Sequence, residues 1–193
     1  VTISESGRNL GSLLIAFALI SIAYLAAFSL SMDVLLPWQQ QYTPEMAAYA
    51  SLLFLPHGVR VLSAWLMGWK AIPLLLPAAA FTHWLNFGLS GFTPLQIIGL
   101  MSGVVCAVVT FWALARAGMD FRITSGTRAN WRDILIAGCI ASVINTGGML
   151  LAFQQAASTS AGYLVGDVSG LFACMLILML AFKVLRRFET VSE

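Results

Sequence analysis

Four side chains able to carry charge, His57, Arg60, His83 and Asp167, stand inside stretches that are otherwise apolar, and the amides of Asn86 and Asn145 stand with them. In hydrocarbon each such group is expensive and persists where it pairs, lines a wet cavity or meets a ligand. Their types suit recognition: a guanidinium for a carboxylate or phosphate, imidazoles and amides for hydrogen bonds. They do not suit catalysis, because no His-Glu metal motif, nucleophile elbow or glycine-rich phosphate loop accompanies them. No catalytic residue, metal site or cofactor is expected. His57 and His83, at one depth beside a tight turn, raise bis-imidazole haem ligation. Neighbours joined that closely leave little room for a macrocycle, and a hydrogen-bonded core histidine is the reading kept for each.

The run Pro56, His57, Gly58, Arg60 is the densest local anomaly. Pro56 removes a backbone donor and is expected to kink its helix. The freed carbonyls then need partners, which a cavity or polar ligand can supply. Arg60 has two compatible readings, an ion pair with Asp167 across the core or the carboxylate of a ligand. Asp167 lies between Gly166 and Gly170, where another backbone or a ligand can approach closely. A protonated, neutral Asp167 is the alternative if Arg60 does not reach it.

Six apolar segments must position these groups, at about 10–32, 46–69, 71–89, 94–117, 131–153 and 161–186. A bilayer-spanning helix needs about 20 mostly apolar residues. The chain has 193 residues, 60% hydrophobic and 9% charged, with a mean hydropathy of +0.88, where a soluble domain has roughly 25% charged residues. The expected fold is therefore all-α, one polytopic membrane helix bundle over 1–193. Lys and Arg fall in alternate gaps: Arg8; Lys70; Arg116, Arg122, Arg128 and Arg132; then Lys183, Arg186 and Arg187. Cytoplasmic loops carry that excess, so both termini are expected in the cytoplasm, in a bacterial inner membrane. The net charge of +2 is topological and argues for no nucleic acid, while basic residues at the membrane face favour anionic lipid headgroups. The first apolar run is read as a retained helix and not a cleaved signal.

On this topology Asn145, Asp167 and Asn86 lie toward the outer face, and the polar groups cluster into a pocket opening away from the cytoplasm. Trp38, Tyr42, Trp69, Trp131 and Tyr163 sit near segment ends, as interfacial aromatics do. Pro94 opens segment four, and Asn130 with Asp133 suits the start of segment five. Cys106, Cys139 and Cys174 read as buried small hydrophobes. Small residues four apart, Ala23 with Ala27, Gly99 with Gly103 and Gly166 with Gly170, permit close helix packing, within the bundle or against a partner.

Two stretches carry a resemblance. Leu52-Leu53-Phe54-Leu55-Pro56-His57-Gly58-Val59-Arg60 with Gly68-Trp69-Lys70 and Pro73, and Tyr163-Leu164-Val165-Gly166-Asp167-Val168-Ser169-Gly170, resemble the first class of MASE membrane-associated sensor domains. Arg132 and Asp133 also fit. The resemblance covers roughly 51–181 and implies a bundle that senses a small molecule or the state of the envelope. Such domains usually precede a cytoplasmic kinase, cyclase or phosphodiesterase. None follows the sixth segment here, so a stand-alone, non-enzymatic module signalling through a partner protein is expected. Two other readings are the substrate-binding subunit of an energy-coupling-factor vitamin transporter, docking through Ala23 and Ala27, and a structural subunit of a larger membrane complex.

Overall fold

In the computed structural model, residues 3–42, 51–126, 129–153 and 157–189 are described. Their regular structure is entirely helical. Helix α1 (Ile3–Ser29) passes through a π-helical turn (Leu30–Leu35) into α2 (Leu36–Tyr42). Then come α3 (Leu55–Met67), α4 (Ala71–Phe87), α5 (Pro94–Arg116), α6 (Trp131–Phe153) and α7 (Ala157–Glu189). Five helical stretches are long and apolar enough to cross a membrane: Leu10–Tyr42, Leu55–Phe87, Pro94–Arg116, Trp131–Phe153 and Thr159–Val184. Their outward faces carry large apolar side chains such as Leu14, Leu19, Ile22, Val143, Leu151 and Phe182. That inversion of a soluble surface is what a lipid solvent requires, and the chain is a multi-pass membrane protein.

The second and third predicted segments form the Leu55–Phe87 stretch, which folds back on itself. Gly68 sits at φ 56°, with its N–H donating to the Ala64 carbonyl, and Gly68–Lys70 forms a 3-10 turn. Arg60 and Ala79 line one cavity, although 19 residues of straight helix would hold them almost 30 Å apart. The two helices are therefore a hairpin, as the tight turn implied. Elsewhere neighbours run antiparallel. Tyr24 meets Arg60 and Ser31 meets Leu55. Ser102 meets Ile144, and Asn145 meets Asp167.

The helix expected over 46–69 differs most from expectation. Residues 46–50, like Arg128, lie outside the described residues. Helix α3 starts only at Leu55 and has 13 residues, about 20 Å, too short to cross a bilayer by itself. Pro56 does not kink a helix. It stands in the first turn, where its missing N–H costs nothing. Before it, Ser51–Phe54 is non-helical and lies along α7.

Non-helical backbone at membrane depth survives only where protein satisfies it, and here the partners are specific. The N–H of Leu52 donates to Gln39 Oε1 (2.8 Å), that of Phe54 to the Gly166 carbonyl (2.8 Å), and that of Leu55 to Ser31 Oγ (3.0 Å). Ser169 Oγ donates to the Leu52 carbonyl and Cys174 Sγ to that of Leu55. Gly166 and Gly170 are what allow the approach: a Cβ on either would overlap the Ser51 or Phe54 carbonyl. The π turn serves the same end. Residues eight apart on an unbroken α-helix are about 80° out of register. The wider turn swings Ser31 and Gln39 toward one side, where both are buried, and it also accommodates Pro37, which has no N–H to give.

The core between α1, α3, α4, α5 and α6 is built from small and aromatic side chains: Tyr24, Val61, Ala64, Leu75, Ala78, Ala107, Phe111 and Ala141. Helix α5 begins with Thr93 Oγ1 accepting from the Gln96 N–H, followed by Pro94. At α6 the Asp133 carboxylate accepts from the Asn130 N–H (2.8 Å), so Asp133, three residues along, caps that helix. Trp38, Tyr42, Trp69 and Trp131 are exposed at helix ends. Tyr163 instead turns inward and lines the cavity.

Candidate functional site: an arginine-lined cavity inside the bundle

A cavity of about 370 Å³ lies between α1, the Ser51–Phe54 segment, α3, α4, α5, α6 and α7. Five of the six polar residues picked out from sequence line it: Arg60, His83, Asn86, Asn145 and Asp167. Asn86, Phe87 and Phe153, at the ends of α4 and α6, line it together with the deeper residues, and Asn86 and Phe87 are exposed. The opposite end of the bundle carries Lys70, Arg116, Arg122 and Arg132. The apolar wall comprises Phe28, Met32, Phe54, Leu100, Met149 and Phe153.

Arg60 is held by contacts that sequence spacing does not reveal. Its Nη2 donates to Tyr24 Oη (2.7 Å). The guanidinium lies 5.5 Å from the ring centres of Tyr24 and Phe54, an arrangement favoured by the ring quadrupoles. A Cβ on Gly103 would come within 3.0 Å of the same guanidinium, so the bare α5 backbone is its seat. The side chain is 8% exposed, and its Nε has no acceptor. The expected ion pair with Asp167 is not formed: the described ion pairs within 4.0 Å are His57–Asp167 and Arg122–Asp120.

Asp167 is 1% exposed and answers to α6 and α3 instead. Its Oδ2 accepts from Ser142 Oγ (3.0 Å) and Asn145 Nδ2 (2.9 Å), with His57 Nδ1 at 3.4 Å. His57 stands behind the carboxylate and does not line the cavity. Its Nε2 is 3.1 Å from the Gly138 carbonyl oxygen. A carbonyl only accepts, so Nε2 carries a hydrogen, a tautomer assigned from its partner. His83 points elsewhere, with Nε2 2.6 Å from the Gly91 carbonyl and its ring against Phe87 and Phe92. The two histidines thus belong to separate networks and do not face each other.

The small-residue pairs are used largely within the chain. Gly99 packs on Ala152 and Met149, and Gly103 receives Arg60. Gly166 and Gly170 receive the extended segment. Ala27 is buried, whereas Ala23 faces outward. Sequence reasoning missed Tyr24, Ser51, Thr82 and the aromatic wall. Tyr24 carried a signal, as the one phenol in a long aliphatic run. Among the described residues no cluster of three His, Cys, Asp or Glu could hold a metal. Cys106, Cys139 and Cys174 are free thiols. The chain matches no family model, no curated protein and no solved structure.

Proposed function

We propose that this protein is a membrane sensor module, resembling the MASE type, that takes a small molecule into the cavity from the outer side and acts through a partner protein. In this reading the chain crosses a bacterial inner membrane six times, α3 with its preceding segment counting as one crossing, and both termini are cytoplasmic. The observation that carries it is the position of the cavity: its polar groups gather at the end of the bundle whose connections lack Lys and Arg, opposite the basic end. A purely structural bundle has no need of a void there, since apolar interiors close-pack. The Ser51–Phe54 break supports the same reading, because interrupted helices at membrane depth are where transported or sensed ligands are held.

The transporter-subunit reading is favoured by one feature. Helix α1 exposes Ala23 among Leu19 and Ile22 on its outward face, where a coupling protein would dock. Native mass spectrometry of the protein, extracted gently at its natural expression level, tests the proposal. A small-molecule adduct with a co-purifying signalling protein supports the sensor; an adduct with coupling and ATPase subunits supports transport. A fixed-stoichiometry member of a large complex with no adduct contradicts both and leaves a structural role.

A further inference from the structure

Resting on that reading of the cavity, we infer that its ligand is a compact organic monoanion, a carboxylate on an apolar body, with the carboxylate seated on Arg60. Arg60 has donors left over where its neighbours do not. Asp167 Oδ2 already accepts from Ser142 Oγ and Asn145 Nδ2, and the basic side chain within 4.0 Å of it is His57. Among the described residues Arg60 has no ion-pair partner within 4.0 Å. It is nine-tenths buried, its Nε lacks an acceptor, and its one hydrogen-bond partner is a neutral phenol. A buried cation in this setting calls for an anion.

The planar guanidinium favours a planar carboxylate over a point charge. Phe28, Phe54, Met149 and Phe153 supply apolar surface for the rest of the molecule, and about 370 Å³ limits it to the small end of ordinary ligand pockets. A soluble acid and a membrane-borne fatty acid share the carboxylate chemistry. Asn86, which lines the cavity and is exposed at the end of α4, favours the soluble one.

The test is binding to the full chain in nanodiscs, read by calorimetry, with five probes: 3-phenylpropionate, its neutral amide, L-phenylalanine, inorganic phosphate and decanoate. The acid should bind more tightly than its amide by roughly 10- to 100-fold, the worth of a charge-assisted hydrogen bond. L-Phenylalanine should bind less tightly than the acid, because Asp167, the carboxylate in the cavity wall, already accepts from Ser142 and Asn145 and stands beside His57. Phosphate should be weaker for want of an apolar body, and decanoate for excess length. Arg60→Gln should bring the acid down to the level of the amide and leave the amide unchanged. Equal binding of acid and amide overturns the inference, as does tighter binding of L-phenylalanine, phosphate or decanoate, or no binding of the acid at millimolar concentration. These outcomes are separable from failure of the sensor reading: a neutral or cationic adduct in native mass spectrometry keeps the ligand pocket and removes the anion.

Discussion

Replacing Gly170 by Ala should unsettle the whole upper half of the bundle, although it adds one methyl group. An ideal Cβ there overlaps the Phe54 carbonyl and comes within 2.9 Å of the Leu55 nitrogen. The obstacles are backbone atoms, which cannot rotate aside as a side chain does. Inserting a methyl into a packed site costs about 1–3 kcal/mol. Moving Phe54 and Leu55 also strains the bonds from their N–H groups to Gly166 O and Ser31 Oγ, and one orphaned donor adds about 1–3 kcal/mol. Together these come to a loss of about 2–6 kcal/mol, which for a chain of this length lowers the melting temperature by on the order of 10 °C. The control is Gly147→Ala on α6, where a Cβ meets nothing within 4 Å. It should be neutral or gain up to ~1 kcal/mol from helix propensity. Thermal unfolding in one detergent, followed by tryptophan fluorescence, compares the two. Equal melting temperatures for the two variants would refute the packing of the extended segment against α7.

Other substitutions test separate joints. Ser31→Ala removes the acceptor for the Leu55 N–H and should cost about 1–2 kcal/mol in the same assay, whereas Ser90→Ala, on an exposed turn, should cost less than half as much; parity would detach the π turn from the start of α3. Tyr24→Phe strips Arg60 of its one hydrogen-bond partner and should destabilise by about 1–3 kcal/mol, with no change meaning that Arg60 is satisfied elsewhere. In the 117–130 loop, hydrogen bonds from Arg122 hold the Asp120 carboxyl below its ordinary value. Such a group stabilises the fold above its unfolded value of about 3.9 and loses that contribution as pH falls through the folded one. The wild type should therefore exceed Asp120→Asn by at most ~1 kcal/mol at pH 5–8, and the gap should close below about pH 4. A gap that widens on acidification would contradict the pairing.

Local signals were enough for some elements and insufficient for others. The sequence marks α5 and α6 to within a residue, because Thr93-Pro94 and the Asn130–Asp133 pair act on their own helix starts. The long first helix outruns its expected end at Met32, since the π turn takes up Pro37 and Asp33 without a break. The late start of α3 could not be read locally. Leu52 to Leu55 are satisfied by Ser31, Gln39, Gly166 and Ser169, up to 117 residues away, and only the pair Gly166 and Gly170 hinted that something must lie on α7. For the site, the cost of polar groups in an apolar run singles out five residues that the fold brings to the wall of one cavity. It did not identify pairings. Asp167 and Arg60 looked like partners by charge, but Asp167 is taken by His57, Ser142 and Asn145, and Arg60 by Tyr24. Spacing along separate helices fixes depth and leaves rotation about each axis undetermined.

The central claim is a cavity inside a membrane-spanning bundle that opens to the outer side. Cysteine labelling with a membrane-impermeant maleimide in intact cells tests it most directly, using Asn86→Cys on the exposed part of the cavity wall and Gly126→Cys in the exposed basic loop, against the background of the three native thiols. The account predicts that Asn86→Cys is labelled in intact cells and that Gly126→Cys is labelled only after permeabilisation. Labelling of Gly126→Cys in intact cells, with Asn86→Cys protected until they are opened, would invert the topology and put the cavity on the cytoplasmic side.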